Sequence, residues 1–144
     1  MRRAIFAAIA LATSVALACG PSPAVLRVER FTEHGASRFD PLDLTISDVA
    51  VVHGLYDATL SLAHTPMGER FCPISWGLRY RLTFTATPKN VTTIVLEGDG
   101  CREAHLGPFD RRETNESYWA MLAGALGFST RGNDLFPLPF DMRR

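Results

Sequence analysis

The chain lacks an excess of either charge. Its 144 residues include 15 basic and 15 acidic side chains, for a formal net charge of zero. A nucleic-acid binder needs a basic surplus to neutralise phosphates, so that class is excluded. Cysteine is scarce: three residues are too few for a disulfide-dense miniprotein. Long hydrophobic runs are also missing. The one apolar run, Ala4 to Ala18, falls short of the roughly 20 residues of a membrane-spanning helix. Pro21 and Pro23 stop a helix soon after it. No internal repeat or low-complexity tract occurs beyond that run. What remains is 47% hydrophobic and 21% charged, a globular composition in a length that suits one domain.

The N-terminus reads as an address. Arg2 and Arg3 precede the apolar run, and small residues close it, as in a secretory signal. The run ends Ala16-Leu17-Ala18-Cys19-Gly20. This resembles the lipobox of bacterial lipoproteins, in which the cysteine thiol receives a diacylglycerol and becomes the first residue after cleavage. Residues 1–18 are then the signal peptide, and residues 19–24 the lipidated N-terminus and a Pro- and Ser-containing tether. Residues 25–144 form one α+β domain. Acyl chains in pairs give stable anchoring, so the expected first partner is the lipid bilayer, through Cys19. Ala16-Leu17-Ala18 also suits an ordinary signal peptidase, which would release a soluble protein. The cysteine count favours lipidation: with Cys19 acylated, Cys72 and Cys101 remain as an even pair.

Periodicity divides the rest. Val25 to Phe31 is a weak strand. Thr45-Ile46-Ser47-Asp48 looks like a helix start, with Thr45 as cap. Ile46, Val49, Val52, Tyr56 and Leu60 then form one apolar stripe on a helix ending near Leu62. His64 to Gly77 is a loop. Leu78, Tyr80, Leu82 and Phe84 alternate with Arg79, Arg81, Thr83 and Thr85, which marks a half-buried strand. Thr87-Pro88-Lys89-Asn90 turns the chain into a second strand, Val91 to Glu97. Gly98-Asp99-Gly100 turns it again into a short third, Cys101 to Leu106. Gly107 to Glu113 is a charged connection. Thr114 or Asn115 caps a second helix with an apolar face of Trp119, Leu122, Ala123 and Leu126. Gly127 then occupies the left-handed position. The expected architecture is α+β: a small antiparallel sheet of three or four strands, two helices and one disulfide.

Outside the cytoplasm two cysteines pair by default, so Cys72 and Cys101 are expected to tie the loop to the sheet. The rival reading joins Cys72, Cys101 and His105 in a metal site. Structural zinc usually takes four ligands from paired knuckles, and none exists here, so no metal is expected. The chain has no Cys-x-x-Cys redox motif. It has no Gly-x-Ser-x-Gly elbow, phosphate loop, dinucleotide fingerprint or His-Glu-x-x-His pair. His53 and Asp57 stand four residues apart on the first helix, either as a base with its orienting carboxylate or as a solvated pair. Arg79 and Arg81 share the wet strand face, where they can hold an anion or simply face solvent. Trp76 and the apolar tail Leu135 to Phe140 have no obvious home. The tail can pack on the body or stand exposed for a partner.

A wider pattern covers most of the mature chain: Asp48, Leu55-Tyr56, Cys72-Pro73, Tyr80-Arg81-Leu82-Thr83-Phe84, Gly100-Cys101 and Tyr118-Trp119. It resembles a group of uncharacterised secreted proteins and lipoproteins of Gram-positive and other soil bacteria. The resemblance implies the disulfide and an extracytoplasmic location, and brings no known activity, cofactor or catalytic residue. The resulting expectation is a non-enzymatic binding module at the cell membrane or envelope, taking an envelope protein or a small ligand. The competing expectation is an envelope hydrolase assembled from distant residues such as His53 and Asp57.

Overall fold

The computed structural model describes residues 21–33, 38–129, 134–139 and 142. The signal segment, Cys19, His34 and Phe140 lie outside the described residues. The chain forms β1 (Val25–Thr32), β2 (Leu42–Ile46), α1 (Val49–Leu60), β3 (Leu78–Thr87) and β4 (Asn90–Glu97). β5 (Glu103–His105), β6 (Arg111–Glu113) and α2 (Glu116–Ala125) follow. The α+β class holds, with two helices and one disulfide, but the sheet has six strands rather than three or four. Their order is β2-β1-β3-β4-β5-β6, all neighbours antiparallel. No helix among the described residues is long and apolar enough to cross a membrane.

The two extra strands arise where local pattern misleads. Thr45 and Ile46 close β2, paired with Arg27 and Leu26, instead of opening the helix. The true cap is Asp48, whose carboxylate accepts from the amides of Ala50 (3.0 Å) and Val51 (3.2 Å). Two capping residues stand three positions apart, and strand pairing takes the first. β6 is a three-residue charged strand at the sheet edge. It is set by a turn in which the Leu106 amide donates to the Asp110 carbonyl at 2.9 Å.

The alternation in β3 gives the sheet its two faces. Leu78, Tyr80, Leu82 and Phe84 are buried together with Leu26 and Val28 of β1 and Ile94 and Leu96 of β4. Both helices complete this one core. α1 is rotated from the expected stripe: Val52, Leu55 and Thr59 are buried, while Val49 and Leu60 are exposed. The buried Thr59 hydroxyl donates to the Leu55 carbonyl (2.7 Å) and meets the Tyr118 hydroxyl of α2 at 2.9 Å. Each group therefore has a partner away from water. α2 is capped by Asn115, whose side chain accepts from the Tyr118 amide at 2.9 Å. It buries Tyr118, Trp119, Leu122 and Ala123, and Gly127 has the expected positive φ of 72°.

The tail packs on the body from Leu135 to Phe136. Leu135 is buried, and the Phe136 ring meets Trp119 edge-on at 5.0 Å. The Tyr80 hydroxyl donates to the Leu135 carbonyl. Arg30 reaches the same region, with Nε 3.0 Å from the Tyr80 hydroxyl and a second nitrogen on the Asp134 carbonyl. Leu138 is half exposed. Trp76 also has a home, packed against the core with the Arg38 guanidinium 5.4 Å from its ring centre.

Candidate functional site

The polar sheet face is the first place to look, because the disulfide lies there. Cys72 and Cys101 are bonded, with Cα atoms 4.8 Å apart, an ordinary bridging distance. The bridge uses both sulfurs, so the metal set of Cys72, Cys101 and His105 is ruled out. The bridge and a set of ion pairs pin the segment 64–77 across this face. Arg70 spans Glu103 (2.5 Å) and Glu113 (2.6 Å). Asp99, read from sequence only as a turn residue, accepts from the Ser75 hydroxyl (2.7 Å) and the amides of Trp76 (2.6 Å) and Leu78 (3.1 Å). Gly98 beside it lets the turn pass close to Leu78.

Beneath the segment lies an open cavity of about 800 Å³, lined among others by Arg79, Glu97, Glu103 and Arg111. Its charges are largely satisfied by one another. Arg79 pairs with Glu33, with Glu97 (3.5 Å) and with Asp99 (3.6 Å). Arg81 pairs with Glu29 at 3.6 Å and lies over the Phe31 ring at 4.7 Å. Neither arginine is left as a free anion site. His105 Nε2 lies 3.0 Å from Glu97, and ligand atoms of Glu97, Glu103 and His105 fall within 4.8 Å of one another. A cation placed there would compete with Arg79 for Glu97 and with Arg70 for Glu103. The network thus reads as a clasp that holds the segment. Met67 and Phe109, which line the cavity, stand almost fully exposed.

A second cavity, of about 490 Å³, lies between α2 and the packed tail. Trp119, Leu135 and Phe136 supply its apolar wall, and Ala120 and Ala123 leave room along the helix. Arg102 and Glu116 also line it. Arg102 is the one described non-glycine residue with positive φ, at 53°. Its guanidinium sits 4.1 Å from the centre of the Phe136 ring. Its carbonyl accepts from the Thr114 amide and hydroxyl, and that hydroxyl in turn accepts from the Trp119 indole at 2.8 Å. One connected chain therefore fixes Arg102 against the cavity wall. Sequence reasoning missed it, because nothing local marks an arginine that will lie against the distant Phe136 ring.

The remaining candidates separate. His53 and Asp57 lie on α1 as expected, yet neither lines these two cavities or a third one of about 480 Å³ near Phe128. No side-chain hydrogen bond or ion pair joins them among the described residues. His64 sits 3.4 Å from Asp110, whose carboxylate is gripped through two oxygens by Arg112 at 3.0 Å each. That hydrogen bonding holds the Asp110 carboxyl below the ordinary range and raises Arg112. In the core, burial pushes the phenols of Tyr80 and Tyr118 up to about 12.

Comparison with models of known families, with curated proteins and with solved structures finds no match. The chemistry available to the site therefore rests on its own residues.

Proposed function

We propose that the protein is an exported, lipid-anchored binding module of the bacterial cell envelope, with no catalysis of its own. The observation that carries the reading is the Cys72–Cys101 bridge across two elements that come together only in the fold. Such bridges form and persist in oxidising compartments outside the cytosol. The lipobox-like Ala16-Leu17-Ala18-Cys19 adds the anchor: a diacylglycerol on Cys19 and a short tether from Gly20 to Ala24 would hold the domain at the bilayer. The binding role is favoured by the cavity between α2 and the tail, whose size suits a small molecule. The hydrolase alternative has less support, since neither His53 nor Asp57 lines any of the three cavities described.

The test is fractionation of cells producing the full chain and Cys19→Ser. The wild type is expected with the membranes and the variant in the soluble extracytoplasmic fraction. Membrane retention of the variant would contradict the anchor, and a soluble wild type would favour release by an ordinary signal peptidase.

A further inference from the structure

We infer that β2 is an interface for a second copy of this chain: two β2 strands pair antiparallel about a two-fold axis at Leu44, joining two sheets into one. The inference goes beyond the binding-module reading and does not depend on the anchor.

The first support is a contrast between the two edges of the sheet. β6 forms one edge, and the chain covers it with its own backbone. The Thr65 amide donates to the Arg111 carbonyl at 2.9 Å, the Glu113 amide donates to the Ala63 carbonyl at 2.8 Å, and His64 bridges to Arg112. β2 forms the other edge, and among the described residues nothing hydrogen-bonds to its outer side. Proteins ordinarily blunt such an edge with lysine, proline, a bulge or an inward charge. Leu42 to Ile46 contains none of these. Its pairs with β1 run without a shift, and its one charge, Asp43, is held by Arg27 at 2.8 and 2.6 Å.

The second support is that the outer side of β2 matches itself in one register. Just past β1, the Glu33 amide donates to the Gly77 carbonyl at 3.1 Å. Strand residues alternate in the side at which they aim their backbone, so odd-numbered residues of β1 face β3 and even-numbered ones face β2. Leu26, Val28 and Arg30 therefore engage the backbone of Ile46, Leu44 and Leu42, and Asp43 and Thr45 aim theirs outward. An axis at Leu44 sets Asp43 of one copy opposite Thr45 of the other, and every outward amide and carbonyl is used. An axis at Asp43 would face carboxylate with carboxylate and put Thr45 against Pro41, which has no amide to give. An axis at Thr45 would set apolar Leu42 against Asp48. The side chains agree. Leu42, Leu44 and Ile46 lie on the core face of the sheet with Leu26 and Val28, yet Leu44 is 39% exposed. In the pairing Leu44 meets Leu44 and Leu42 meets Ile46, so the apolar face continues across the axis.

The experiment is oxidative cross-linking of the full chain in mild detergent, with micelles in large excess so that two chains meet only by association. Leu44→Cys places two thiols at a pair without hydrogen bonds, where Cα atoms lie about 4.5 Å apart, within bridging range. A covalent dimer is expected, with residue 44 linked to residue 44 by peptide mass spectrometry. Val91→Cys, at an exposed position on β4, controls for collision and is expected to link about tenfold less or weaker still. Thr45→Pro removes an outward amide and leaves the pairing with β1 whole, so adding it should cut the Leu44→Cys dimer about tenfold with the melting temperature kept. Leu44→Lys gives a second reading that needs no proline, since it sets ammonium against ammonium. The sedimenting protein mass of the wild type should rise with concentration towards two chains, and that of Leu44→Lys should stay at one. Equal linking at residues 44 and 91 would overturn the inference, as would an undiminished dimer in a folded Thr45→Pro chain or in Leu44→Lys. A wild type that stays single at every concentration would also overturn it and leave the edge to a strand of another protein.

Discussion

Replacing both bridge cysteines, as Cys72→Ser with Cys101→Ser, isolates what the disulfide contributes. The two residues are 29 apart in sequence. Freeing a loop of that length returns entropy to the unfolded chain worth roughly 3.6 kcal/mol at room temperature. That corresponds to roughly a few hundredfold in the folding equilibrium. Little native packing is lost with it. Cys72 is exposed and Cys101 only partly buried, so two serines leave no large cavity. The folded loop also keeps its other ties, from Arg70 to Glu103 and Glu113 and from Asp99 to Ser75, Trp76 and Leu78. The effect should therefore fall on the unfolded state, with the native contacts preserved. Urea unfolding followed by tryptophan fluorescence measures it, on the full chain in the same detergent. The midpoint is expected to drop by the equivalent of about 3 to 4 kcal/mol, and adding a reductant to the wild type should reproduce most of that drop. A loss under about 1 kcal/mol, or a wild type indifferent to reductant, would refute the reasoning.

Two further predictions concern the core. Gly98→Ala would place a methyl carbon 2.6 Å from Leu78 Cγ and 2.7 Å from its Cδ2, where Leu78 is buried. A cost of about 1–3 kcal/mol is expected, and an unchanged melting temperature would contradict this packing. Alkaline pH should unfold the protein through its tyrosines. Tyr80 and Tyr118 are held protonated up to about 12 by burial, above the ordinary value of 10.0. The native state then retains protons that the unfolded state gives up. This stabilisation is present in full below pH 10 and declines as the pH rises towards 12. Phenolate absorbance should therefore appear in step with loss of structure. Smooth titration of both phenols in a folded chain would count against their burial.

The strands that the sequence made plain are those with one wet and one dry face. β3 shows it best, since Leu78 to Phe84 alternates without a break and the sheet is built around it. The second helix was legible for the same reason, with Thr114 or Asn115 as cap, Gly127 as stop and Trp119 and Leu122 on one side. β2 was hidden because Thr45 and Asp48 are both good caps, and only pairing with β1 decides between them. The stripe on α1 was shifted because Thr59 is a core residue, and no hydrophobic pattern singles out a buried threonine that will meet Tyr118 across the fold. β6 was hidden because Arg111, Arg112 and Glu113 look like a solvated turn until Arg70 and His105 stand opposite them. The disulfide was readable from cysteine arithmetic. The cavity at Arg102 was not, because residues 102, 116 and 136 converge only after the tail folds back on Trp119.

The central claim is that this chain is lipid-fastened and bridged outside the cytosol. Intact-mass and peptide mass spectrometry of the protein extracted from its native membranes tests it most directly. The expected product begins at Cys19, carries a diacylglycerol mass on that residue, and holds Cys72 and Cys101 in one cross-linked peptide pair. A chain that still begins at Met1 and carries free thiols at residues 72 and 101 would contradict the account.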